Sequence, residues 1–376
     1  MTRATSHRSN RPLKALALAG SALVALPQIA TAEEVNVYSH RQPELVQPLF
    51  DAFTAKTGID VNVAFVDKGM VERLVAEGTR SPADLVMTVD IARLAQVVDA
   101  GVTQPINDPL IDEAIPAELR AADGQWIGLT TRARIVYASK ERVKEGELTS
   151  YEELADPKWK GRICTRPFTA DYNVALTAAY LAHHDEAATK AWLEGIKANL
   201  ARKPDGNDRS QVKSIWAGEC DISLGNTYYM GQMLADPEQV EWANSVNLVF
   251  PKFEGGGTHV NVSGVAMTQS APNKEAALKL VEFLVSPEAQ EIYAETNNEF
   301  PVTPGVKRSE LVASWGEFTA DSLKLTEIAA LRPAALKLIE RHGFDADLTS
   351  ALLALDQVSA WTSPDSIAAA LSALNC

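Results

Sequence analysis

The chain has 376 residues, 46% of them hydrophobic and 22% charged, with 35 basic against 49 acidic side chains and a formal net charge of −14. That length predicts about two domains. The acidic balance excludes nucleic acid and anionic membrane surfaces as general partners, although a single buried arginine overrides the average field locally.

Residues 1–32 read as a secretory signal peptide. Arg3, Arg8, Arg11 and Lys14 precede an apolar run from 15 to 30, and Ala30-Thr31-Ala32 supplies a small-x-small cleavage site. The run is too short and too interrupted, by Gly20, Ser21, Pro27 and Gln28, for a comfortable membrane span. Cleavage after Ala32 leaves an exported chain with 31 basic and 49 acidic residues, a net charge of −18.

The mature chain opens with an alternating strand over 34–39. Residues 43–57 carry Leu45, Val46, Leu49, Phe50 and Phe53 at helical spacing and close on Gly58. Residues 59–66 alternate again, 68–78 read as a helix, and 83–89 as a buried strand. This βαβαβ rhythm predicts a parallel sheet with ligands at the carboxyl ends of its strands, where the loops 38–43 and 88–92 fall. Residues 126–139 form a long β-rich run with Arg132 and Arg134 on one face, costly to bury unless something anionic meets them. Helices are expected at 151–154, 175–182 and 186–200, and a strand at 222–224. A glycine-rich turn at 252–257 leads to a second crossing strand at 261–267, then helices at 273–285 and 287–296.

The order of sheet, crossing strand, second αβ unit and return crossing predicts an α/β fold of two lobes joined by two hinge strands. The lobes comprise 33–131 with 258–310, and 132–257 with 311–344. Residues 345–376 form a C-terminal helical extension with Leu348, Leu352 and Leu355 as its apolar stripe.

Three cysteines remain, and the oxidising compartment lets Cys164 and Cys220 close a long loop while Cys376 stays free; three free thiols are the alternative. Only eight tyrosines occur, yet Tyr228 and Tyr229 are adjacent, after Gly225-Asn226-Thr227. Such a pair converges on one point only in a turn or at a helix start. It is either a half-buried aromatic doublet or, if a strongly acidic metal strips the phenol protons, a hard oxygen site suited to ferric iron.

Several further stretches carry a resemblance: residues 37–43 with His40-Arg41-Gln42-Pro43, 81–84, 88–91, 128–134 with Thr130-Thr131-Arg132-Ala133-Arg134, 171–173, 206–209, 225–229 and 261–264. In this order the chain resembles the periplasmic ferric-ion-binding proteins of bacterial ABC iron transporters, which have the type II periplasmic-binding-protein fold. The resemblance implies that Tyr228 and Tyr229 hold ferric iron with a third tyrosine, which maps onto Tyr172. It implies a synergistic anion, carbonate or bicarbonate, held by Gln42 and Arg132, the latter through the bidentate fit of a guanidinium to a planar oxyanion. Asp208 and Arg209 are then either neighbours that steady a phenolate or an exposed ion pair on a loop, and His40 stands where some branches place a ligand from the first lobe. His259 precedes a hinge strand as a further neighbour, Asp171 is either a carboxylate beside the metal or part of a surface turn, and His183, His184 and His342 read as solvated.

The function implied is a monomeric periplasmic solute-binding protein, not an enzyme, that delivers ferric iron to an inner-membrane ABC permease and its ATPase. A second reading keeps the fold and gives it a small ligand of the polyamine, sulfate or phosphonate type, clamped by Arg132. A secreted hydrolase is a third, resting on Asp84, Asp90 and Ser263, but no GxSxG, HExxH or Ser-His-Asp spacing accompanies them.

Overall fold

The computed structural model describes residues 1–2, 33–66 and 68–344. The signal-peptide segment 3–32 and the extension 345–376, with Cys376, lie outside the described residues. The chain divides into two units, Met1–Ala32 and Glu33–Cys376, and the described secondary structure lies in the second.

Ten strands are linked by hydrogen bonds, seven along a single path with β4, β8 and β10 paired beside it: β1 (Glu34–Ser39), β2 (Asp60–Phe65), β3 (Leu85–Thr88), β4 (Thr103–Gln104), β5 (Ile127–Ser139), β6 (Ile163–Cys164), β7 (Ile222–Asn226), β8 (Val246–Val249), β9 (Val260–Thr268) and β10 (Phe300–Pro301). The central order is β2-β1-β3-β9-β5-β7-β6. β1 pairs parallel to β2 and β3, as the βαβαβ rhythm predicts. Helix Pro43–Thr57 covers this sheet because Val46, Leu49, Phe50 and Phe53 fall on one face. It stops at Gly58, whose φ of 74° lets its N–H reach back to the Thr54 carbonyl.

The hinge is written into β5. Through Ala133 it pairs antiparallel with β9; from Arg134 onward it pairs with β7 and β8. The exchange falls between Ala133, opposite Val260, and Arg134, opposite Asn226. One 13-residue strand therefore belongs to two sheets. Separate apolar cores pack on them, around Val37, Phe50 and Leu280 on the first sheet and around Trp159, Leu176 and Trp192 on the second. A third core, around Tyr137, Cys164, Cys220 and Met230, backs the tyrosine pair.

Some local expectations shift. Residues 151–154 form no α-helix: Glu152–Ala155 is a single 3-10 turn, and Tyr151 is buried with its hydroxyl donated to the Arg134 carbonyl. The helix expected at 175–182 begins earlier, at Asp171, which brings Tyr172 into its first turn. Helices Asp208–Trp216 and Leu325–Arg341 are additional. His183 and His184 are half-buried rather than freely solvated. His183 sits 2.8 Å from an Asp321 carboxylate oxygen and stacks on Phe253, and His184 lies 2.9 Å from Glu152. Both aromatic faces are occupied by packing that the sequence spacing does not reveal.

Cys164 and Cys220 form a disulfide across 56 residues of chain, with their Cα atoms 5.8 Å apart. The loop it closes contains Tyr172 and both Asp208 and Arg209. Reduction should cost about 4 kcal/mol in the chain-entropy account, lowering the denaturant midpoint. Equal midpoints with and without a reductant that cleaves the bond would contradict this.

Candidate functional site

β7 delivers the tyrosine pair. It runs straight into Thr227 and then helix Tyr228–Ala235, so the two phenols occupy the first turn of a helix. The strand end is held from below: the Tyr137 hydroxyl donates to the Asn226 carbonyl at 2.6 Å. Gly225 lies flat against that ring, and a Cβ there would overlap it. The rings of Tyr228 and Tyr229 are 4.2 Å apart at 41°. Tyr172 arrives from the start of helix Asp171–His183, its hydroxyl 3.2 Å from that of Tyr228. Tyrosines separated by 56 positions thus meet at one point.

They line a cleft of about 520 Å³. Its first side carries His40, Arg41, Gln42, Phe65, Val89 and Arg93; its second carries Arg166, Asp171, Asn207, Arg209 and Gln232 with the three tyrosines. Both predicted strand-end loops therefore face it. Burial pushes the Tyr228 hydroxyl well above the ordinary phenol value, and Tyr172 and Tyr229 add to the shift. Tyr229 is raised too, by burial first and then by Tyr172 and Asp208. With no metal present both are neutral at physiological pH.

Guanidinium groups surround the phenols. Arg132 lies 5.7 Å from the Tyr228 ring centre, Arg166 and Arg134 lie 5.3 and 5.8 Å from that of Tyr172, and Arg209 lies 5.9 Å from that of Tyr229. Arg132 does not line the cleft; it is 1% exposed behind Tyr228. Its Nη2 donates to Glu299 at 2.6 Å, while Nε and Nη1 are buried without a hydrogen-bond partner. Arg134 donates to Asp208 at 2.7 Å, to Asn226 at 3.1 Å and to Asn173 at 2.6 Å.

Asp208 is buried and touches no phenol. It accepts from Arg134, from the Asn226 N–H at 3.2 Å and from Arg166 at 3.4 Å. Its contacts thus reach two arginines that lie against the Tyr172 ring and the strand end that leads into the tyrosine pair. Asp171 is also engaged: Arg93 and Arg332 each donate to it at 2.7 Å. Burial alone would raise its pKa, but these two cations hold it below the usual carboxylate value.

His40 and Gln42 are in the cleft wall. His259 is not: it is 1% exposed in the hinge, where burial drives its imidazole down to about 3 and keeps it neutral. Asp84 and Asp90 are buried backbone caps, accepting from Asn36 and Asn273 and from Ala92, and Ser263 meets the Thr130 hydroxyl. Phe65, Arg93, Arg166, Gln232, Arg332 and Glu299 were not anticipated. Arg93 had a signal, its place just after the 88–90 strand end; Glu299 and Arg332 reach the site only through long-range folding.

Among the described residues, no three His, Cys, Asp or Glu side chains gather to hold a metal. The convergent oxygen donors are phenols, which suit a hard trivalent cation once ionised.

Two αβ lobes, two crossing strands and a cleft between strand-end loops define the type II periplasmic-binding-protein fold. Residues 48–320 match the bacterial extracellular solute-binding protein family, and the chain belongs to that family of solute-binding proteins. It is 44% identical over 316 residues to iron uptake protein A1 of Synechocystis sp., covering 83% of this chain and 88% of that protein. It is 30% identical to the major ferric iron-binding protein of Neisseria meningitidis serogroup B, covering 87% of this chain and 97% of the relative. Among solved structures, apo ferric ion-binding protein A of Pasteurella haemolytica superposes with a TM-score of 0.81 at 48% identity, over 84% of this chain and 99% of that one.

Replacing Asp208 by Asn leaves Arg134 buried against a neutral partner. A loss of about 3–5 kcal/mol in denaturant unfolding is expected. A change below about 1 kcal/mol would show that Asp208 is not what compensates Arg134.

Proposed function

We propose that this protein captures ferric iron in the periplasm and delivers it to the inner-membrane permease and ATPase of an ABC transporter, acting as a monomer. The observation that carries the reading is the meeting of three phenols on one cleft wall, with Tyr172 and Tyr228 hydroxyls 3.2 Å apart and the Tyr229 ring tilted against that of Tyr228. The names of the similar proteins point the same way.

In this reading Tyr172, Tyr228 and Tyr229 bind as phenolates and neutralise the trivalent charge. His40 faces them from the opposite wall as an additional ligand. Gln42 and Arg132 hold carbonate or bicarbonate, a role supported by the two buried, unpartnered nitrogens of Arg132. Asp208 steadies the tyrosines from behind, and Arg209 does so from the cleft wall beside Tyr229. The moving bodies are 33–131 with 258–310 and 132–257 with 311–344, turning where β5 exchanges partners. Export with cleavage after Ala32 is the matching route, supported by the small-x-small Ala30-Thr31-Ala32 sequence after the apolar run.

The second reading, a small-anion binder clamped by Arg132, draws on the same unpartnered nitrogens and on the arginine-rich wall. It needs no tyrosine triad. Calorimetric heat with sulfate or a phosphonate, and none with ferric citrate, would select it.

Phenolate-to-ferric charge transfer gives an orange to purple colour. The wild-type protein titrated with ferric ion should develop this visible band, and the Tyr228→Phe, Tyr229→Phe double variant should lose most of it. An unchanged spectrum in the variant would remove the pair from the iron site.

Binding must also expel protons. Because Tyr228 and Tyr229 are held neutral in the metal-free cleft, each releases one proton on ligation. Acid restores the protonated phenols, so affinity falls as pH falls, by at least about a hundredfold per pH unit from the protons of Tyr228 and Tyr229 alone. A ferric affinity independent of pH between 5 and 7, after correction for the competing chelator, would contradict this.

A further inference from the structure

We infer that Glu299 is the positioning residue of the anion site: it sets the Arg132 guanidinium and ties it to the loop that carries His40 and Gln42. The inference rests on the anion reading of the cleft given above.

Glu299 is fully buried and lies outside the cleft lining. Both carboxylate oxygens are engaged. Oε1 accepts from Arg132 Nη2 at 2.6 Å and from Arg41 Nη2 at 3.0 Å; Oε2 accepts from Thr130 Oγ1 at 2.8 Å and pairs with Arg41 Nη1 at 3.0 Å. Arg41 therefore makes a two-pronged contact, the arrangement that fixes a guanidinium in plane and direction. Burial alone would raise the Glu299 carboxyl, but Arg41 and Arg132 outweigh it and hold the pKa down, so the group is an anion.

One buried carboxylate thus serves two buried arginines from different parts of the chain. Arg41 sits between His40 and Gln42, which line the cleft, and Arg132 belongs to the crossing strand β5. Thr130, on the same strand, also contacts Ser263 of β9, so the network touches both hinge strands. Glu299 spends its capacity on one nitrogen of Arg132 and leaves Nε and Nη1 buried and unpartnered behind Tyr228. Buried unpartnered donors on a cation are expensive, and an oxyanion that accepted from them would remove the penalty.

The carboxylate is itself held in place. It follows Asn298, a non-glycine residue with φ of 54°, just past helix Pro287–Asn297. The Asn298 side chain packs against Gly231 in the tyrosine helix, where a Cβ would collide with it. The turn that aims Glu299 is therefore pressed against the helix that aims Tyr228 and Tyr229. Phenols and anion-binding guanidinium are referenced to one another across this contact.

The test is a bicarbonate titration of the full-length mature protein loaded with ferric chloride in bicarbonate-free buffer, followed by the visible charge-transfer band, with thermal melting recorded in parallel. Glu299→Asp keeps the charge but withdraws the carboxylate by one methylene. The half-saturating bicarbonate concentration should rise at least about tenfold, the equivalent of one charge-assisted hydrogen bond. Thr130→Val removes the hydrogen bond to Oε2 together with the hydroxyl contact to Ser263 but leaves both arginine contacts of Glu299, and a smaller rise of about threefold is expected. A merely structural Glu299 would lower the melting temperature and leave half-saturation at the wild-type value; that result in folded Glu299→Asp overturns the inference. Should Glu299→Asp fail to fold, Thr130→Val decides by the same criterion. A wild-type ferric band that ignores bicarbonate would instead overturn the anion reading itself, and this inference with it.

Discussion

Two arginines on one crossing strand set the terms for the rest of the molecule. Arg132 and Arg134 are almost completely buried, and a guanidinium removed from water must meet an anion or destabilise the fold. Each meets a carboxylate from a distant segment, Glu299 for Arg132 and Asp208 for Arg134. These pairs bracket the point at which β5 changes sheets. Because one partner comes from beside helix Pro287–Asn297 and the other from helix Asp208–Trp216, closing the two pairs also fixes the elements that carry the tyrosines. Asp208 reaches the Asn226 N–H at the end of β7; Asn298, next to Glu299, abuts Gly231.

The same constraint shapes the chemistry of the cleft. Three neighbouring carboxylates are committed: Asp171 to Arg93 and Arg332, Asp208 to Arg134 and Arg166, Glu299 to Arg41 and Arg132. None is left as a ready-made anionic ligand. The oxygens that converge are phenols, which burial keeps neutral until something strongly electrophilic displaces their protons. On the proposed reading, a wall of neutral phenols among cations disfavours a divalent metal, which gains less from displacing those protons. On the same reading, a trivalent ion with an accompanying oxyanion satisfies both the phenols and the spare nitrogens of Arg132.

Much of this was legible before any coordinates, and the divide is physical. The tyrosine pair sits at a strand-to-helix turn because Gly225 and Asn226 precede it, a local signal with a local outcome. The β5 run and its two arginines were equally plain, since β-rich composition and two arginines at i and i+2 are read along a few residues. Their partners were not. Arg132 and Glu299 lie 167 positions apart, and nothing near either one names the other. Helix Leu325–Arg341, whose Arg332 reaches Asp171, was missed for the same reason, and Pro333 inside it weakened the helical pattern further. Asp208 was placed near the tyrosines by resemblance, but its route to them, through Arg134 and Arg166, needed the fold.

The central claim is that phenolate oxygens of this chain bind ferric iron directly. Resonance Raman scattering from the ferric-loaded wild-type protein, excited within its visible absorption band, tests that most directly. The account predicts enhanced tyrosinate ring vibrations, because the band arises from phenolate-to-iron charge transfer. A ferric-loaded protein with no visible band, or with a band that enhances no tyrosinate modes, would contradict it.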